Sequence, residues 1–84
     1  MGNLDKLLQK ILNGKADANI HFTDLCGLLI HLAFEERIKG SRHIFSKSGI
    51  EEKINLQQDG NTPKPYQVRY VRQVILKYKL GDLA

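Results

Sequence analysis

This sequence is short of cysteine, of long apolar runs and, over its later part, of acid. Its single cysteine, Cys26, cannot close a disulfide within the chain, and no spacing of Cys and His matches a zinc-binding pattern. A reducing compartment is the expected setting. The first residues include Asp5 and never form an uninterrupted apolar core segment, so neither a secretory signal nor a membrane span is expected, and the cytoplasm is the location read from the chain. No helix-turn-helix pattern stands out, which argues against a DNA-contacting regulator. Between Asn61 and Leu80 there is no Asp or Glu, only Lys64, Arg69, Arg72, Lys77 and Lys79. That segment carries +5 while the rest of the chain nets −1, so the overall +4 belongs to the C-terminal part.

What is present describes one soluble domain. The 84 residues are 42% hydrophobic and 26% charged, ordinary values for a chain that folds on its own with a modest core. Leu4, Leu7, Leu8, Ile11 and Leu12 share one helical face, with Asn3 placed to cap it and Gly14 to stop it. A polar link, "KADAN", leads to a second helical pattern through Phe22, Leu25, Leu29 and Leu32, widened by Cys26 and Leu28. From Phe34 the period changes. "FEERIK", "RHIFSK" and "EKINLQ" read as three short strands, with turns at Gly40-Ser41 and Ser48-Gly49 that allow only antiparallel neighbours. After the loop "QDGNTPKP", Pro65 opens a last helix with Val68, Val71, Ile75 and Tyr78 on one face and Gly81 at its end. The fold class is α+β: a three-stranded antiparallel sheet covered by helices. Residues 1–19 form a helical extension and link, and residues 20–80 the core.

The residue that attracts attention is His43, in "IKGSRHIF". Alone, it reads as a half-buried strand residue whose ring packs and does nothing else. Strand alternation places His43 and Phe45 on one face and Arg42, Ile44 and Ser46 on the other, without saying which face is covered. Lys39 and Arg42 flank the turn and extend any basic surface toward His43. Tyr66, Tyr70 and Tyr78 lie among the cations of the last helix, a mixture suited to phosphate contact and base stacking, though a solvated face with snorkelling lysines reads equally well. His21 and His31, at the ends of the second helix, read as caps or solvated side chains.

The stretch "HFTDLCGLLIHLAFEERIKGSRHIF", with "EEKINLQ" and "KPYQVRYVRQVI", resembles the HicA family of bacterial toxins, small ribonucleases of type II toxin-antitoxin systems. The likeness runs from Ile20 to Tyr78, and its most specific part is Gly-Ser-x-His-h-Phe at Gly40–Phe45. The helix through Leu4 and Leu12 is similar to an N-terminal extension in a longer branch of that family. The resemblance implies a fold like that of a double-stranded-RNA-binding domain, α-β-β-β-α, with an added N-terminal helix. It also implies an mRNA-cleaving endoribonuclease that requires neither metal nor cofactor, with His43 as the catalytic residue and a HicB-like antitoxin as partner. A non-catalytic RNA-binding module is the alternative. Arg42 stands where many members have a histidine, Ala33 replaces a glycine before the aromatic Phe34, and the strand "INLQ" lacks the family's frequent second histidine.

The chemistry expected is correspondingly lean. His43 acts as general base on a ribose 2′-OH, helped by an unperturbed imidazole pKa of about 6.5, while Arg42 or Lys39 stabilises charge on the phosphate. Gly40 lets backbone approach the substrate, and the Ser41 hydroxyl or N–H holds a phosphate oxygen. Lys64, Tyr66, Arg69 and Arg72 complete the substrate-binding set. The electropositive Lys39, Arg42, Lys64, Arg69 and Arg72 favour an acidic contact region on the antitoxin. Oligomeric state and cleavage preference stay open.

Overall fold

Each apolar stripe of the sequence becomes a face turned toward one core. The computed structural model describes residues 3–15, 17–57 and 62–83. In it, α1 spans Asn3–Asn13, α2 Phe22–His31, β1 Glu35–Lys39, β2 Arg42–Ser46, β3 Ile54–Gln57 and α3 Pro65–Lys77, with single 3-10 turns at Asp17–Asn19 and Leu80–Leu83. Leu8 and Ile11 of α1 are buried, and Leu4, Leu7 and Leu12 pack beside them. Gly14 ends α1 as expected: its φ of +74° is the left-handed conformation that glycine adopts freely. The Asn3 side chain and residues 58–61 of the expected loop lie outside the described residues.

The sheet is an antiparallel meander in the order β1-β2-β3. Phe45, Ile54 and Leu56 point from one of its faces into a cluster with Phe22, Leu25, Leu28 and Leu29 of α2 and Val68, Val71, Val74 and Ile75 of α3. The face bearing His43 and Phe45 is therefore the covered one. The opposite face, with Glu35, Arg37, Lys39, Arg42, Asn55 and Gln57, is exposed, while Ile44 and Ser46 are half-buried. The architecture is α+β with a helix-covered antiparallel sheet. Among the described residues, no helix is long and apolar enough to cross a membrane.

Each strand runs one or two residues shorter than the expected stretch, and the end of the last helix differs most. The last helix starts at Pro65, as its fixed φ favours, but it stops at Lys77 rather than running to Gly81. Lys79 takes a positive φ of 55°, and the reversal delivers Leu80 to the core, 5% exposed. Burial of Leu80 outweighs the strain of a left-handed lysine, and Gly81 falls inside the following 3-10 turn.

Candidate functional site

The site is built from a hairpin whose register is set by a two-residue turn. Lys39 pairs with Arg42, leaving Gly40 and Ser41 as the loop. Gly40 has φ +60°, and a left-handed glycine at the first loop position fits the type II′ turn that matches strand twist. From this register, Ile38 lies opposite His43 and Glu36 opposite Phe45. Glu36 and His43 thus occupy diagonal positions on the covered face, where long side chains meet.

They do meet. His43 Nδ1 lies 2.7 Å from Glu36 Oε2. An ionised carboxylate only accepts hydrogen bonds, so Nδ1–H is the donor, and in the neutral ring Nε2 carries the lone pair. Phe22, the first residue of α2, sets its ring edge-on to the imidazole, with centroids 4.9 Å apart and planes at 77°. The His43 side chain is 18% exposed and that of Glu36 22%. Along the same face, Phe45 is fully buried and Ile38 is 61% exposed, so His43 stands at the border where the helical cover ends and solvent begins.

A third reactive side chain joins from α2. The ligand atoms of Cys26, Glu36 and His43 lie within 4.8 Å of one another. Burial pushes the Cys26 thiol up to about 11, and the Glu36 charge adds to the effect, so at neutral pH it is a protonated thiol rather than a nucleophile. Sequence spacing missed this cluster because its members come from three elements. The signal for Glu36 was present in the turn, since a two-residue loop at Gly40-Ser41 fixes which β1 residue lies diagonal to His43. Nothing in the sequence gave the approach of α2.

The cations are distributed otherwise. Strand alternation sends Lys39 and Arg42 to the exposed face, away from the imidazole, which corrects the expectation that they extend a basic surface toward His43. Arg42 instead lines a hollow of about 280 Å³ with Asn55, Leu56, Gln57, Tyr66 and Gln67. Leu56 is the cross-strand partner of His43, so this hollow lies one strand step from the imidazole. It adjoins a groove of about 460 Å³ between β3 and α3, lined by Lys53, Asn55, Tyr66, Gln67, Arg69, Tyr70 and Gln73. Tyr66 and Tyr70 are exposed there, and among the described residues the buried Gln67 Oε1 has no hydrogen-bond partner.

Of the remaining candidates, Lys64 is the exposed residue before α3. Gly40 and Ser41 are exposed at the hairpin tip. Arg72 has a different role: its guanidinium holds the Asp17 carboxylate at 2.9 and 3.3 Å and the Ile11 carbonyl at 3.1 Å. His21 and His31 are exposed at opposite ends of α2, and among the described residues no hydrogen bond joins either of them to His43. The structure therefore brings together Arg42, Tyr66 and Arg69 around β3, places Lys39, Gly40 and Ser41 at the tip, and commits Arg72 to packing.

Compared with protein-family models, with curated proteins and with solved structures, the chain finds no match. The resemblance to HicA toxins rests on the residues quoted for it.

Proposed function

We propose that the protein is an endoribonuclease of the HicA toxin kind, cutting mRNA with His43 as its single catalytic histidine and without a metal. One observation carries this reading: the Glu36–His43 pair fixes the proton on Nδ1 and leaves Nε2 as a base on a ring that solvent reaches. In the proposed reaction, Nε2 removes the proton of a ribose 2′-OH and the 2′ oxygen attacks the neighbouring phosphorus. The bond to the 5′ oxygen of the next nucleotide breaks, and that oxygen takes a proton from the imidazolium. The products are a 2′,3′-cyclic phosphate and a 5′-hydroxyl.

The rest of the molecule accommodates such a substrate. Ser41 at the exposed tip offers a hydroxyl to a phosphate oxygen. The β3–α3 groove combines Tyr66 and Tyr70 for stacking with Lys53 and Arg69 for phosphates. Helix, three strands and helix is also the order of a double-stranded-RNA-binding domain, with α1 as an addition. A HicB-like antitoxin with an acidic contact region would cover the same basic surface in the cytoplasm.

A second reading, an RNA-binding module that does not cut, is favoured by the placement of Lys39 and Arg42 on the face opposite the imidazole. The two readings separate when untagged protein is incubated with end-labelled RNA in chelator. Shortened RNA with cyclic phosphate ends, reduced about 100-fold or more in His43→Ala, supports the nuclease. RNA that is bound and left intact by the wild type overturns it in favour of the module.

A further inference from the structure

We propose that Cys26, Glu36 and His43 form a binding site for one zinc-class divalent ion, with its remaining coordination position open to solvent. The site uses the same imidazole as the nuclease reading, so an ion seated there and a metal-free His43 base are alternative states of one cluster, and sequence spacing gave no reason to expect that cluster.

The geometry is close to what such an ion requires. Three donors from α2, β1 and β2 already lie within 4.8 Å of one another, and the imidazole and carboxylate are 2.7 Å apart. Around a tetrahedral zinc, with bonds of about 2.0–2.3 Å, ligand atoms sit about 3.3–3.6 Å apart. Reaching that spacing from 4.8 Å asks the donors to approach by about 1 Å. The donors stand on regular elements, not loops. Cys26 follows the fully buried Leu25, His43 is held by the Phe22 ring, and Glu36 lies opposite the fully buried Phe45. The part-exposed imidazole and carboxylate give an ion its entry.

Donor chemistry selects the class of ion. One carboxylate cannot satisfy the six or more oxygens that calcium or magnesium demands. When the ion displaces the Cys26 proton into solvent, thiolate with imidazole and carboxylate is the borderline set that suits zinc and its spectroscopic substitute cobalt(II). The His43–Glu36 hydrogen bond and the packing of Cys26 against the core hold the three donors where they are, and their convergence within 4.8 Å is what an ion would use.

The test uses untagged, metal-stripped protein kept reduced and titrated with cobalt(II), then zinc. The expected result is one equivalent of cobalt, a near-ultraviolet thiolate-to-metal charge-transfer band, intense visible bands of a four-coordinate ion, and displacement by zinc. Cys26→Ala, verified as folded by circular dichroism, loses the charge-transfer band. Glu36→Gln and His43→Gln each weaken cobalt binding by about tenfold or more, as loss of one ligand predicts. Absence of the thiolate band in folded wild-type protein overturns the site. So does a band that keeps its intensity and affinity in both Glu36→Gln and His43→Gln, because the metal is then held by the thiol alone.

Discussion

At His43, the distinction between an inert core histidine and a working base comes down to which neighbours reach each ring nitrogen. Nδ1 is taken by Glu36, and the ring face by Phe22. On the nuclease reading Glu36 is a positioning residue: it holds the tautomer and favours the imidazolium that forms as the 2′-OH loses its proton. Glu36→Gln keeps size and hydrogen-bonding capacity but removes the charge, so kcat should fall by about tenfold to 100-fold. KM should stay nearly unchanged, since no phosphate contact is lost. Single-turnover cleavage and RNA binding measured side by side check this, and equal losses in both would mark Glu36 as a folding residue only. At this scale the sequence was half legible. Alternation gave the shared face of His43 and Phe45, because that depends on one strand alone. It gave neither the covered side nor Cys26, because those depend on where α2 comes to rest.

Element ends show how tertiary burial overrides local preference. Helix α2 closes with Ala33 at φ +73°, its N–H on the Ile30 carbonyl at 2.9 Å, while the Phe34 N–H reaches the Leu29 carbonyl at 3.0 Å. This is a Schellman motif, with the apolar contact supplied by the buried pair Phe34 and Leu29. Its left-handed position is the one where the resemblance leads one to expect glycine. Ala33→Gly should relieve about 1–2 kcal/mol of left-handed strain against about 0.4–1 kcal/mol of added unfolded-chain entropy. The net gain is about 0.5 kcal/mol, readable as a higher urea midpoint at constant slope. Helix α3 likewise ends at a left-handed residue, Lys79, whose N–H reaches the Leu76 carbonyl at 3.4 Å just before the buried Leu80, which is why Gly81 misled as a stop signal. Glycine marks an end only when the chain has no apolar residue to deliver sooner.

The far end of α3 is also tied to the segment before β3. Glu52 accepts hydrogen bonds from Lys77 Nζ, at 2.6 Å, and from the Tyr78 hydroxyl. These hydrogen bonds lower its carboxyl from the ordinary 4.5 to about 2. Since the folded value lies below the unfolded one, the unfolded chain binds more protons between the two. Stability from this group is complete above about pH 4.5 and is lost as pH falls toward 2. Glu52→Gln should lower the melting temperature at pH 7, and the gap to wild type should close by pH 2. Melting curves across that range check the sign: a gap that widens in acid contradicts it.

Across the whole molecule, charge that looks like one basic patch in the sequence divides into two jobs. Arg72 sits on the side of α3 that faces α1, where it clamps Asp17 and the carbonyl at the end of α1, and Gly14 is small enough to let its guanidinium pass. A Cβ on Gly14 would stand 3.3 Å from that group. Arg69 points to the β3 groove, beside Tyr66 and Tyr70. The sequence showed five cations without acid but could not divide them, because the partner of Arg72 lies 55 residues away. Their substitutions should therefore diverge. Arg72→Ala leaves the part-buried Asp17 unpaired and should cost about 2 kcal/mol of stability, seen in urea unfolding. At temperatures where it stays folded, the salt dependence of its RNA affinity should match wild type. Arg69→Ala should unfold at the wild-type midpoint yet bind RNA more weakly, with the slope of log affinity against log salt reduced by about 0.7–0.9, the loss of one phosphate contact. If both variants change the salt slope and neither changes stability, α3 presents a single basic face and the division drawn from the clamp is wrong.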